Sequence, residues 1–174
     1  VLTHLDRYGY EATAVGCQVC GLVFLDPVMT PEAYGRFYAE TYRPLVSAHH
    51  GRVINARTIQ EEQRAYAVER GDLLAPYLTG RGYRALLDIG GSTGVVAHAL
   101  SQRFGLSATV VDPAPLETAE ANELGIETIE GLIEAVNLGD RRFDVVLLCQ
   151  TVDHLLDIGG TLRRVRELMA STGL

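Results

Sequence analysis

The run Leu87-Asp88-Ile89-Gly90-Gly91-Ser92-Thr93-Gly94 constrains this chain more than any other segment. Ala85–Ile89 is a short apolar stretch with the length of a buried strand, and Val95–Phe104 is helical in pattern. The glycines between them let the backbone turn sharply and let a ligand come close. The helix behind them presents unpaired N–H groups to that ligand. The loop is not a GxGxxG fingerprint, because Ser92 and Val95 stand at the second and third glycine positions. Nor is it a phosphate loop of the Walker type, since all 15 basic residues are Arg and the chain has no Lys. The same absence excludes a Schiff-base or general-base lysine within these residues.

Beyond the loop, strand and helix patterns keep alternating. Ser107–Val111 is a β-branched strand that stops at Asp112-Pro113, and Leu116–Leu124 is a helix ended by Gly125. Ile126–Ile129 and Phe143–Cys149 read as two more strands, the latter apolar except for Asp144 and so suited to a central position. Ile158–Ala170 reads as a last helix. Strands alternating with helices of this length predict an α/β fold, a doubly wound parallel sheet of about four strands over residues 81–174. Asp112 ends the second of these strands, where an acid in such folds accepts hydrogen bonds from ribose hydroxyls. Loop and acid together predict a nucleoside-containing ligand. The alternative is that Asp88 and Asp112 only cap the turns into helices.

Upstream, residues 1–30 are mixed and turn-rich, with Cys17-Gln18-Val19-Cys20-Gly21 before a short apolar strand that ends at Asp26-Pro27. Thr30-Pro31-Glu32 opens a helix expected to run to about Tyr42 and to break at Pro44. Tyr38 and Tyr42 share a face of it. Arg52–Leu78 is one long helical pattern, or two helices if Asp72 caps the second. Residues 31–80 are therefore expected to form a helical extension. The 174 residues carry a net charge of −7 and no basic run, which argues against a nucleic-acid binder. No apolar stretch reaches the length of a membrane span. Three unevenly spaced Cys make no disulfide framework and fit a reducing cytoplasm.

In order, LDIGGSTG, VVDP and FDVVLLCQTVDHLLD resemble the class I S-adenosylmethionine-dependent methyltransferases, over about residues 60–174. That resemblance implies a Rossmann-like domain in which Asp88, Gly90, Gly91, Ser92 and Gly94 hold the methionine end of S-adenosylmethionine. It implies that Asp112 and Pro113 meet the ribose, and that Gly131, Leu132 and Ile133 face the adenine, without the acid the family often has at Leu132. It implies further that Gln150 and Thr151 lie beside the transferring methyl, and that Asp153-His154 stands where relatives often carry a Glu-His pair, with His154 as candidate base. Tyr42 is the candidate aromatic that closes over the cofactor.

CQVCGLVFLDPVMTPEAYGRFYAETYR looks like the segment that precedes the catalytic domain in a zinc-ribbon-bearing branch of the same superfamily. That likeness implies structural zinc on Cys17 and Cys20, with the other ligands before Val1 or drawn from His4, His49 or His50. The bland reading is two free thiols in a turn. The resemblance also implies seven strands where four are legible, hence a longer protein. The activity it implies is in-line methyl transfer to a small molecule, a sugar or biosynthetic intermediate. The rival readings are a nicotinamide-dependent oxidoreductase, against which the glycine spacing speaks, and a non-catalytic cofactor-binding module.

Overall fold

A computed structural model describes residues 1–174 as two compact units, Val1–Ile54 and Asn55–Leu174. The first opens with an antiparallel sheet of β1 (Thr3–Leu5), β2 (Glu11–Gly16) and β3 (Val23–Leu25), in that order. Asp6 shapes the first turn, its Oδ1 accepting the amides of Tyr8 and Tyr10 at 2.8 Å each. The second turn is the Cys17–Gly21 segment, where Gly21 takes φ +78° and its amide bonds the Cys17 carbonyl at 2.9 Å.

Helix α1 (Pro31–Arg36) starts as expected, with Thr30 capping the Ala33 amide at 3.3 Å. The helical path does not end at Pro44. A wider π turn over Phe37–Thr41 leads into α2 (Tyr42–His50), so Pro44 sits in a first turn, where a missing N–H removes no intrahelical bond.

In the second unit, α3 (Ala56–Glu62) and α4 (Arg64–Leu78) replace the single long pattern, and both belong with the parallel sheet rather than with the residues before them. The break falls at Gln63. Asp72 caps nothing and instead pairs with Arg103 at 2.6 Å. The cap of α3 is a reciprocal box: Asn55 Oδ1 accepts the Thr58 amide at 2.9 Å, and Thr58 Oγ1 accepts the Asn55 amide at 3.0 Å. Asn55→Ala is expected to lower stability by about 1 kcal/mol, read from the urea midpoint at unchanged slope.

The sheet consists of β4 (Ala85–Ile89), β5 (Ser107–Asp112), β6 (Glu127–Glu130) and β7 (Val145–Leu147), all parallel, in the order β6-β5-β4-β7. Helices α5 (Val95–Phe104), α6 (Pro115–Glu123) and α7 (Ile158–Leu168) connect or follow the strands. Alternation along β4 splits the core. Leu86, with Val110, Val145 and Leu147, packs toward Ala67 of α4 and Leu100 of α5. Leu87 and Ile89 face the other way, with Val111, Ile133, Phe143 and the α7 residues Val165 and Leu168.

The strand predicted over Phe143–Cys149 is shorter and lies outermost rather than centrally. Its outer side is occupied: Ala170 donates to Phe143 at 2.8 Å, Leu174 to Asp144 at 2.8 Å, and Val146 to Leu174 at 3.0 Å. Asp144, the one polar residue of the run, turns its carboxylate to the amides of Arg84 and Ala85 and so holds the start of β4. No helix is long and apolar enough to cross a membrane.

Candidate functional site

β4 has β5 on one side and β7 on the other, so the strand order reverses there and a crevice opens at its carboxyl end. Four loops meet at that end: Gly90–Gly94, Asp112–Ala114, Gly131–Ile133 and Gln150–His154. The glycine loop is held by backbone. The Gly90 amide bonds the Val111 carbonyl at 2.8 Å, and the Gly94 amide bonds that of Gly91 at 2.9 Å. Asp112 ties three loops together. Its Oδ2 accepts the Ser92 amide at 2.8 Å, its Oδ1 the Ala114 amide at 2.9 Å, and its carbonyl the Gly131 amide at 3.0 Å. The turn-holding alternative for Asp112 is therefore real, and it places the carboxylate at the mouth of the crevice.

The glycines are needed for space. A Cβ on Gly90 would stand 2.6 Å from the Thr151 side chain, and one on Gly91 would stand 2.8 Å from the Asp88 carboxyl. Two residues with side chains, Ser92 at φ +49° and Gln150 at φ +55°, hold the left-handed conformation at opposite walls.

Asp88 is 1% exposed, and its Oδ1 has no hydrogen-bond partner. Burial first, and the nearby Asp112 carboxylate second, push its pKa from 3.8 to about 7. Ser92 Oγ is likewise buried and unpartnered. Buried polar atoms left without partners are costly unless something else supplies the missing bonds.

Three further side chains, Cys149, Tyr66 and Arg70, lie near Asp88. Cys149 follows β7 and packs on the same sheet face as Leu86 and Leu147, the face toward which Asp88 alternates. From α4, Tyr66 packs on that face, and the Arg70 guanidinium lies 4.7 Å from the centre of the Tyr66 ring. Burial pushes up the thiol of Cys149 and the phenol of Tyr66; Asp88 pushes both up further, and Arg70 opposes it. Arg70 Nε is buried and has no hydrogen-bond partner. The i, i+4 spacing of Tyr66 and Arg70 is the only local signal, and it is too common to be informative.

The remaining expected residues are spread around the rim. Thr151 faces Gly90, while Gln150 is exposed. His154 ends a 3₁₀ turn and is exposed, with Nε2 3.5 Å from Asp153 Oδ2. Pro113, Gly131 and Leu132 are half-buried, but Ile133 is a core residue, 3% exposed. Its side chain packs with Leu87, Val111 and Leu138.

Tyr42 belongs to the first unit. Its ring lies 5.3 Å from Tyr38, 5.9 Å from Phe37 and 6.4 Å from Tyr8, centroid to centroid, within an aromatic cluster. Cys17 and Cys20 are free thiols, and the amides of Cys20 and Val19 lower the Cys17 thiol below its ordinary value. A structural zinc takes four ligands. No group of three or more His, Cys, Asp or Glu side chains gathers to hold a metal, so Cys17 and Cys20 supply at most half of such a ligand set.

A crevice at the strand reversal, a glycine loop without lysine, and a buried acid unpartnered at Oδ1 beside it have the layout of a nucleotide-binding switch point in a doubly wound fold. Residues 87–174 match the family described as a methyltransferase domain, and the chain belongs to that family. It is 35% identical over 95 residues to the ubiquinone biosynthesis O-methyltransferase of Azorhizobium caulinodans, covering 51% of this chain and 37% of that one. The protein of the same name from Cereibacter sphaeroides is 36% identical over 109 residues, 59% of this chain and 43% of that one. The chain thus spans well under half the length of these curated relatives.

Among solved structures, the fold is shared with the plantazolicin methyltransferase BpumL in complex with SAH. The TM-score is 0.61 at 15% identity, over 80% of this chain and 54% of that one. It is shared also with a putative S-adenosyl-L-methionine-dependent methyltransferase of Methanococcus maripaludis, at TM-score 0.57 and 19% identity, over 68% of this chain and 59% of that one.

Proposed function

We propose that this chain is the cofactor-binding portion of an S-adenosylmethionine-dependent methyltransferase acting on a small-molecule acceptor, a sugar or biosynthetic intermediate, in a reducing cytoplasm. The observation that carries the reading is the buried Asp88 carboxyl, unpartnered at Oδ1 beside the glycine loop. It suits a ligand that brings a cation into the crevice. S-Adenosylmethionine, when bound, supplies a methyl group activated by a positive sulfonium.

The chain's own residues bind and orient. Asp88 and the Ser92 hydroxyl receive the methionine end, with Arg70 as partner for its carboxylate. Asp112 takes the ribose, and Leu132 gives apolar contact to the adenine. Alignment and exclusion of water then do most of the catalytic work. The names of the curated relatives favour a hydroxyl acceptor. Such an acceptor needs its proton removed, and His154, oriented by Asp153, is the candidate base.

Calorimetric titration of the chain tests the cofactor. S-Adenosylmethionine is expected to bind one to one and NAD not at all. NAD binding without an S-adenosylmethionine signal would overturn the reading. In the full-length protein, His154→Ala is expected to lower kcat by about a hundredfold or more with cofactor affinity unchanged. Undiminished turnover in that variant removes His154 from the chemistry.

A further inference from the structure

Gln60 on α3 touches the glycine loop through a contact that plays no part in the cofactor crevice itself. Its side-chain nitrogen donates to the Glu120 carbonyl at 3.2 Å and lies 3.5 Å from the Thr93 carbonyl. Both acceptors sit where backbone pairing runs out. Glu120 belongs to the last turn of α6, whose carbonyls lack intrahelical donors. The Leu124 amide that would have closed on it bonds Ala121 instead, at 3.1 Å. Thr93 precedes Gly94, the N-cap of α5, so its carbonyl lies outside that helix. A primary amide carries two hydrogens, one for each of these carbonyls.

The two segments it joins approach closely, for a Cβ on Gly94 would stand 2.8 Å from that of Ala121. Gln60 is itself well anchored. Buried Ala56 and Ile59 fix α3 beneath it, and the Asn55 box fixes the start of that helix.

We propose that Gln60 is a positioning residue for the cofactor loop: its amide ties the Thr93 carbonyl to the end of α6 and so sets the course of Ser92–Gly94. The inference rests on the crevice being the S-adenosylmethionine site, and it assigns Gln60 a role through the loop backbone. Its role is to hold the loop in the shape that binds before any ligand arrives.

Three substitutions separate this role from simple packing. Gln60→Met keeps the length and apolar stem but has no donor. Gln60→Glu sets an acceptor against two carbonyls. Gln60→Lys restores donors. In the ligand-free chain, hydrogen exchange at the Ser92 and Gly94 amides is expected to quicken about tenfold in the Met and Glu variants, with Val110 in the core unchanged. The Lys variant is expected to exchange like the parent. Affinity for S-adenosylmethionine should follow the same order, falling about tenfold, while kcat of the full-length enzyme at saturating cofactor stays constant. Parental loop exchange in the Met variant, or a Lys variant no better than Met, overturns the proposal. If the parent chain fails to bind S-adenosylmethionine yet the exchange pattern appears, the cofactor reading falls and the loop-positioning role stands.

Discussion

Asp88→Asn is expected to make the ligand-free chain more stable at pH 8 and to weaken cofactor capture severely. The acid is buried, and its pKa stands at about 7 against 3.8 in the unfolded chain. Between those values the folded chain holds a proton that the unfolded chain has released, so stability falls as pH rises through that window. Below pH 3.8 the cost is absent, and above about 7 it is complete. A shift from 3.8 to about 7 corresponds to about 4 kcal/mol at pH 8, an order-of-magnitude figure. The amide variant carries no charge and escapes it. Denaturant titrations at pH 5 and pH 8 should therefore show a gain that is larger at the higher pH.

Cofactor binding carries the opposite sign. A cationic ligand lowers the Asp88 pKa, so binding near pH 7 releases a proton and affinity rises with pH through that value. In the Asn variant, binding should be weak and free of that dependence. An equal stability gain at both pH values, or unimpaired binding, sinks this account of the acid.

Gly94→Ala is the second large effect. Gly94 has φ +71°, and its added Cβ would meet the Ala121 Cβ at 2.8 Å and the Ala121 Cα at 3.3 Å. A left-handed residue with a side chain costs about 1 to 2 kcal/mol, and forcing apart the packed start of α5 and last turn of α6 costs about as much again. The expected loss is about 3 kcal/mol, with cofactor affinity falling as the loop shifts. Ala121→Gly removes the atom that is struck. Alone it should cost about 1 kcal/mol through helix propensity. Combined with Gly94→Ala it should recover the packing part of the loss but not the backbone part. Strictly additive effects in the four-way cycle would show that the two residues do not meet.

The cofactor side of this molecule is legible in the sequence because its signals are local. The glycine loop, Asp88 and Asp112 sit at strand ends, and three strand–helix alternations place them without knowledge of the packing. The illegible parts depend on partners distant in sequence. β1 and most of β2 bury no face, so no alternation marks them. Phe143–Cys149 has the composition of a central strand, yet its seclusion comes from residues 168–174 returning along it. Pro44 is ambiguous, because a proline ends one helix and equally suits the start of the next. Tyr66, Arg70 and Cys149 converge only because α4 lies across the sheet. Ile133 joins Leu87 and Val111 in one core layer, a packing that its place in the sequence does not announce.

The left-handed Ser92 and Gln150 have a consequence for kinetics. Each holds a conformation worth about 1 kcal/mol of strain, which persists only where the surrounding structure over-determines it. A crevice whose walls are fixed in this way has little ordering left to do when the cofactor arrives. Capture should then be limited by encounter rather than by rearrangement. Variants of the loop should differ chiefly in how long the cofactor stays, with smaller changes in how fast it enters.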